Sequence, residues 1–397
     1  MSTRLLSLTV KNFRSLADIH VKTGDLNVLF GPNGAGKSTF LDTLWFVRDC
    51  AIRGVDEASS VRSHGIGLRS DSAEESANIS IKIETGLAEY EVQAGYSAGR
   101  IESFVGERLY TKDSGRLLID RKIGSDKASF VHKAFDDPLL ASLREPEKLA
   151  LTSYLQMDDS VPAAAEVDRL LHFISFYHSR EADLYRLKTL GSDLSYETRL
   201  RTRAQNLWSV LRNLNDKRAI DDRFNTITDF MRKSFPAFRE LVMEQTGPNS
   251  VYASFVENDR HSPILASGVS DGHLQQLIHL TALFAEGRNR ESLILFDEPE
   301  ISLHPHALAM FAEAAKLAAV KWNKQIFIAT HSPVLISQFE PEDIVAVEIN
   351  SNNQTILKHV SEINGIKDLL QDYAVGSLYM AELIAAQSQL TSEVPAT

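Results

Sequence analysis

Apolar residues along this chain follow two periods, and the switches between them divide it. Short apolar runs near 5–10, 19–21 and 26–30 read as three strands. A Gly-rich loop follows. From Lys37, KSTFLDTLWFVRDC sets Phe40, Leu41, Leu44, Trp45 and Val47 near a 3.6-residue period, which predicts a buried helix that starts inside the loop. Residues 52–76 are polar and rich in Ser and Gly, so a mobile excursion is expected there. ISIKIET, YEVQAGY and RIESFVGERLY then alternate apolar with polar positions, as half-exposed antiparallel strands do. Between 137 and 235 the pattern is helical, broken near Pro162 and Gly191 and by a strand-like FISFY at 173–177. Towards the end, LILF (293–296) and IFIA (326–329) flank a helical stretch over 306–322, the texture of a parallel sheet. The chain shows no internal repeat and no heptad run long enough for an extended coiled coil.

Composition narrows the class. The 397 residues are 43% hydrophobic and 24% charged, which argues against a largely disordered, collagen-like or membrane chain. No run approaches the roughly 18 apolar residues that a bilayer crossing needs. The opening MSTRLLSLTVKNFRSL lacks a continuous apolar segment, so no secretory signal is expected and the cytoplasm is the expected location. Cys50 is the only cysteine, which leaves no internal disulfide and no multi-cysteine zinc site and predicts a small buried hydrophobe. With 42 basic against 53 acidic residues the net charge is −11, so any nucleic acid must be met by a local basic patch.

Three short segments carry chemistry. GPNGAGKS at 31–38 matches the phosphate-loop pattern at Gly31, Gly36, Lys37 and Ser38, with a predicted strand before it and a helix after it. In such a loop Gly31, Asn33, Gly34, Ala35 and Gly36 turn backbone N–H groups onto phosphate oxygens, and Pro32, which has no N–H, belongs to the same nucleotide-binding turn. Lys37 reaches the outer phosphates, Ser38 can ligate magnesium, and Thr39 continues the helix N-terminus. ESLILFDEPE runs four apolar residues into Asp297 and Glu298. A carboxylate pair at the end of a buried strand is costly unless a cation faces it, and a magnesium nucleotide is the natural candidate. Asp297 would then hold the ion's water shell, and Glu298 would orient and deprotonate the attacking water. In SGVSDGHLQQL, Ser270 can cap a helix and Gly272 allows close approach; a plain capped helix fits the same residues.

These segments resemble the ABC-class P-loop ATPases, in the branch of RecF-like, SMC-like and OLD-like proteins and standalone AAA-family ATPases. LTVKNFRSL (8–16) resembles the branch's first strand and turn, VSDGH (269–273) a divergent signature loop, FDEPEISLHP (296–305) its extended acidic motif and IATHSPVLI (328–336) its switch-histidine segment. The order and offsets agree: Ser270 precedes Glu298 by 28 residues, and His331 follows it by 33. The resemblance implies an α/β fold, an ABC-type head with a mixed-sheet core, an antiparallel β subdomain and an inserted helical lobe. Its expected divisions are 1–51 (core, with the phosphate loop), 52–135 (excursion and β subdomain), 136–240 (helical lobe), 241–385 (core, with the other motifs) and 386–397 (flexible tail). It further implies ATP and Mg²⁺ as ligands, His331 at the γ-phosphate, and Ser270 and Gly272 given to the nucleotide of the opposite subunit, so that ATP is sandwiched in a homodimer. Asp271 and His273 stand where transporter signatures have glycine and glutamine, His304 stands where transporters have aspartate, and the glutamine loop has no evident counterpart.

Two further groups stay open at this level. Arg14, in KNFRS, could approach the nucleotide or be an ordinary solvated arginine. Arg180, Arg186, Lys188, Arg199, Arg201 and Arg203 stand among four acids between 180 and 203, which reads as a solvated face or as a contact for DNA. His304 and His306 lack a third partner at metal-ligand spacing.

The function implied is an ATP hydrolase that gates DNA repair, recombination or anti-phage defence as a homodimer, with a separately encoded effector such as a nuclease. A nuclease domain within the chain is not expected. OLD-type enzymes add roughly 100 residues or more beyond the core, whereas 61 follow Ile336 here. A nucleotide-dependent protein scaffold without DNA contact is the alternative. A transporter subunit fits less well, because 233 residues separate Lys37 from Ser270.

Overall fold

The computed structural model describes residues 3–385 apart from 75, 98, 133–136, 288–289, 367–368, 370–372 and 382, so the tail expected over 386–397 lies outside the described residues. Its centre is a six-stranded sheet in the order Ile174–His178, Ser292–Asp297, Lys324–Thr330, Leu26–Phe30, Ile344–Ile349, Thr355–His359; the first five are mutually parallel and the last is antiparallel. LNVLF and SLILFD are buried throughout, as strands covered on both faces must be. Successive side chains of these strands enter two different cores. Val28, Phe30, Ile294, Phe296, Ile326 and Ile328 join the helix Pro305–Lys321 and the helix Asp271–Phe284. Leu29, Leu293, Leu295, Phe327 and Ala329 join the helix Lys37–Arg53 on the opposite face.

Beside it stands an eight-stranded antiparallel sheet that contains Ile79–Glu84 and Ala88–Ala94, whose alternate residues are buried as their sequence pattern requires. Three strands change sheet relative to the sequence divisions. Ser7–Phe13 and Leu16–Lys22, expected with the core, pair here through Ser7–Phe13 against Ile79–Glu84. The FISFY stretch, expected inside the helical lobe, becomes the edge strand of the parallel sheet. Alternation reports which face of a strand is buried and not which strand it pairs with, so both assignments needed tertiary structure.

Residues 52–76 are not a loose excursion. They hold the helix Val55–Ser60 and the buried Leu68, whose carbonyl accepts from Arg14 N at 2.7 Å. The buried Arg62 guanidinium bonds Asp42 at 2.7 Å and Asp49 at 3.1 Å, which ties the segment to the helix after the phosphate loop. Helices from the 136–240 stretch divide between the two cores: Pro162–His172 packs with the antiparallel sheet, whereas Leu207–Asn215 and Arg223–Ser234 pack with Asp271–Phe284. Among the described residues no helix is long and apolar enough to cross a membrane.

Candidate nucleotide site

Parallel strands end together, so whatever follows their carboxyl ends meets at one rim. The register sets Asp297 level with His178 on one side and Ala329 on the other, while Thr330 lies level with Phe30. The phosphate loop, the acidic segment and the switch-histidine segment, far apart in sequence, therefore emerge side by side.

The loop is held tightly from behind. A Cβ on Gly31 would come within 2.0 Å of the Val347 carbonyl oxygen. Gly36, the residue before the helix Lys37–Arg53, has φ +105°, and a Cβ there would meet Thr355 Oγ1 at 2.2 Å. Thr355 Oγ1 donates to the Ala35 carbonyl at 2.9 Å and pairs with Ser15 Oγ at 2.8 Å, which fixes the loop from outside. Asn33 and Gly34 are exposed at the tip, and nothing lies within 4 Å of a Cβ placed on Gly34. The helix begins at Lys37, so its unpaired N–H groups and dipole point into the loop. Thr39 is half-buried in that first turn.

Lys37 is buried and donates from Nζ to the Gly31 and Pro32 carbonyls at 2.8 and 2.9 Å. Burial pulls its pKa down, against the fields of Asp297, Glu300 and Glu298, which raise it. The exposed Ser38 donates from Oγ to Asp297 Oδ1 at 3.0 Å. Asp297 is only 2% exposed. Burial holds its carboxyl above the usual range, with the Ser38 hydrogen bond and then His178 acting the other way.

Glu298 follows with φ +52°, an uncommon backbone state for a side chain of this size, and its N–H bonds the Ala329 carbonyl at 2.9 Å. His331 Nδ1 stands 3.8 Å from Glu298 Oε1 and 3.3 Å from Glu300 Oε1. Glu300 holds this segment in place: its Oε1 accepts from Thr330 Oγ1 at 2.7 Å and from the His331 N–H at 3.0 Å. Oε2 of Glu300 and Nδ1 of His331 are buried and lack hydrogen-bond partners, and the equally buried Oε2 of Glu298 faces the Arg180 guanidinium in an ion pair at 2.8 Å. Such a cluster of unsatisfied polar atoms is what a polar ligand would satisfy.

The donor set fits a magnesium nucleotide. Mg²⁺ takes one or two protein oxygens, keeps waters and completes its shell with phosphate, and Ser38 with Asp297 offers that pair of hard oxygens beside Lys37. Among the described residues no group of three His, Cys, Asp or Glu is arranged to hold a metal by itself. His304 instead caps its helix, and His306 Nε2 meets the Lys233 carbonyl at 2.9 Å.

Ser270 N-caps the helix Asp271–Phe284, and its Oγ lies 2.7 Å from His273 Nδ1. A Cβ on Gly272 would stand 2.6 Å from the Ser302 carbonyl, so this first helical turn rests on the loop after the acidic pair. Asp271 pairs with Lys188 at 2.5 Å, and the His273 ring stacks on Phe235 at 3.8 Å. Ser270 is thus bonded within its own turn, while the phosphate loop takes its contacts from Ser15, Thr355 and Asp297.

Arg14 is engaged in an ion pair with Asp42 at 3.1 Å, in the second turn of the helix that follows the loop. The six cations between 180 and 203 are also engaged within the chain. Arg186 pairs with Asp193 (2.8 Å), Lys188 with Asp271 (2.5 Å), Arg199 with Glu286 (3.3 Å), Arg201 with Glu197 (2.6 Å) and Arg180 with Glu298 (2.8 Å). Arg203 donates to the Glu181 carbonyl at 3.3 Å. Two residues of the site escaped sequence reasoning, and a third, Arg180, enters that reasoning only as part of the basic stretch 180–203. His178, whose Nε2 is 3.6 Å from Asp297 Oδ2, would have followed from placing FISFY in the parallel sheet. Glu300 is the third acid of FDEPE, and Arg180 lies two residues beyond His178.

Comparison with known proteins adds the following. Residues 26–337 match the family model described as "AAA domain, putative AbiEii toxin, Type IV TA system". Endonuclease GajA of Bacillus cereus (strain VD045) is 22% identical over 408 residues, covering 95% of this chain and 64% of its own. Old nuclease of Escherichia phage P2 is 20% identical over 386 residues, covering 91% of this chain and 62% of its own. The chain spans less than two thirds of the length of these relatives. Among solved structures, an SMC head bound to the C-winged helix domain of ScpA superposes with a TM-score of 0.54 at 15% identity, over 90% of this chain and 99% of that one. An SMC head with an extended coiled coil, bound to the C-terminal domain of ScpA derived from Pyrococcus furiosus, gives 0.52 at 13% identity, over 92% and 99%. The shared architecture is that of an ABC-type P-loop head.

Proposed function

Because the chain belongs to the AAA-domain family whose model spans its residues 26–337, a P-loop ATPase of the RecF, SMC and OLD type, we propose that it binds and hydrolyses ATP with Mg²⁺ in a site completed by a second copy. The observation that supports this is the convergence of Lys37, Ser38, Asp297, Glu298 and His331 at the carboxyl ends of three adjacent parallel strands.

In this reading the loop's N–H groups and Lys37 bind the phosphates, Lys37 exchanging its two carbonyl partners for phosphate oxygens. Ser38 and Asp297 would hold Mg²⁺, which would supply positive charge against the phosphate oxygens. Glu298 accepts the proton of the attacking water, and His331, steadied by Glu300, faces the terminal phosphate. Ser270 and Gly272 of one copy close the nucleotide of the other. Hydrolysis then opens the dimer, so the differential affinity of nucleotide for the two states drives a switch.

The relatives named as nucleases support a role connected with nucleic-acid cleavage; we propose that this role lies in repair or in defence against phage, with a separately encoded nuclease as effector. The ion pairs that engage the cations between 180 and 203 favour a second reading, a nucleotide-dependent scaffold for protein partners that does not grip DNA through that segment.

The test is Glu298→Gln in the full chain with ATP and magnesium. Light scattering after gel filtration is expected to show an ATP-dependent doubling of mass, and phosphate release is expected to fall by a factor of about 100 or more. Turnover at the wild-type rate removes Glu298 from the role of base, and a monomer with bound ATP removes the shared site.

A further inference from the structure

Resting on that reading of Glu298 as the base, we propose that Arg180 is its positioning residue and that the signature helix Asp271–Phe284 sets where Arg180 stands. Three consecutive residues at the end of the edge strand Ile174–His178 reach three parts of the site. His178 Nε2 is 3.6 Å from Asp297 Oδ2. Ser179, buried, accepts at its carbonyl from Gln275 Nε2 at 2.7 Å, and its Oγ is 3.3 Å from His279 Nε2. Arg180 Nη2 is 2.8 Å from Glu298 Oε2.

Gln275 and His279 are four residues apart on one face of the signature helix, and both are buried. Their polar atoms have few ways to be satisfied there; Gln275 Oε1 and His279 Nδ1 already go without a partner, so their bonds to Ser179 are costly to break. The turn itself is closed locally. Arg180 N–H donates to His178 Nδ1 at 3.2 Å, which leaves the proton of a neutral His178 on Nε2, towards Asp297. The segment is thus bonded at one end to the acidic pair and at its middle to the helix that Ser270 caps.

Arg180 is 66% exposed, so its ion pair contributes little to stability. What the pair does is local. It takes one oxygen of the Glu298 carboxylate and leaves the other, Oε1, on the His331 side. When Ser270 engages the nucleotide of the twin, a displacement of its helix is passed through Gln275 and His279 to Ser179, and so to Arg180 and the base of the same chain. The two shared sites of a dimer are coupled by this route.

The experiment is a double-mutant cycle on the full chain, read as steady-state turnover and, separately, as affinity for a fluorescent ATP analogue. Arg180→Ala is expected to lower kcat about tenfold while nucleotide affinity stays within about twofold, and Arg180→Lys to recover most of the loss. Gln275→Ala is expected to lower kcat about threefold alone and to add nothing in the Arg180→Ala background. Should a thermal melt show Gln275→Ala unfolded, Ser179→Ala, which removes the hydroxyl contact to His279 and keeps the carbonyl that Gln275 meets, tests the His279 arm of the same linkage in the cycle. Additive losses overturn the linkage through the helix. Wild-type kcat in Arg180→Ala, or a lysine variant no better than alanine, overturns the positioning role. If Glu298→Gln is inactive while Arg180→Ala is normal, only the present proposal fails; if Glu298→Gln turns over normally, the base reading itself fails and this proposal with it.

Discussion

The hydroxyl of Ser38 donates to Asp297 Oδ1 across 3.0 Å, joining the phosphate loop to the acidic strand over 259 residues of sequence. The bond crosses the rim of the parallel sheet, and it joins the two side chains proposed to hold Mg²⁺. Asp297→Asn keeps the volume and one acceptor oxygen for the Ser38 hydroxyl but removes the charge. Magnesium-dependent phosphate release is expected to fall about a hundredfold or more, while nucleotide binding in the presence of a chelator stays near wild type. Equal loss of binding with and without magnesium would sink the metal role.

Glu300 holds His331 by two hydrogen bonds, one through Thr330 Oγ1 and one to the histidine N–H. Glu300→Ala leaves both donors without this acceptor, a change of about 1–3 kcal/mol for partly buried groups. A lower melting temperature is expected, together with a fall in kcat larger than any change in KM. Glu300→Gln retains an acceptor oxygen and should recover part of both. An unaltered kcat in the alanine variant would show that the histidine needs no such support.

At Gly272 a methyl group would stand 2.6 Å from the Ser302 carbonyl oxygen, too close for either backbone to stay where it is. Gly272→Ala therefore pushes the first turn of the signature helix away from the acidic loop, at a cost of about 1–3 kcal/mol. The predicted outcome is loss of the ATP-dependent dimer by light scattering, with the chain folded and ATP still bound. A normal dimer would mean that this close approach serves packing alone.

Acid stability follows from His279. It is buried against Phe296 and Phe311, with ring centroids at 5.6 and 5.2 Å, and burial pushes its pKa down to about 3. The folded state therefore binds fewer protons than the unfolded chain between the ordinary histidine value near 6.5 and about 3. Its contribution is fully present above 6.5 and is lost as the pH falls, by about 1.4 kcal/mol per unit. Urea unfolding between pH 6.5 and 4 should show a shallower loss of stability in His279→Gln than in the wild type. Parallel curves would mean that another group carries the acid sensitivity.

Those parts of the site that rest on local backbone geometry were legible without coordinates. A strand, a glycine turn and a helix in immediate succession place Lys37 and Ser38, and Ser270 caps its helix as a serine before an apolar-periodic run should. Arg14 shows where that kind of reading stops: its residue type suits phosphate, and its geometry pairs it with Asp42.

Within single elements, then, the order of residues along the chain determined what each piece is: apolar runs became buried strands, alternation became an antiparallel sheet, and the phosphate loop formed where its glycines stand. Only the tertiary structure decided which strands lie beside which, and so which residues share a rim. FISFY lies next to the acidic strand, which brings His178 and Arg180 to Asp297 and Glu298; Ser7–Phe13 leaves for the other sheet; and the cations between 180 and 203 find acids. The reason is physical. Helical and strand periods are set by neighbours a few residues apart, whereas strand pairing and ion pairing are chosen among groups hundreds of residues apart by the packing of the whole core.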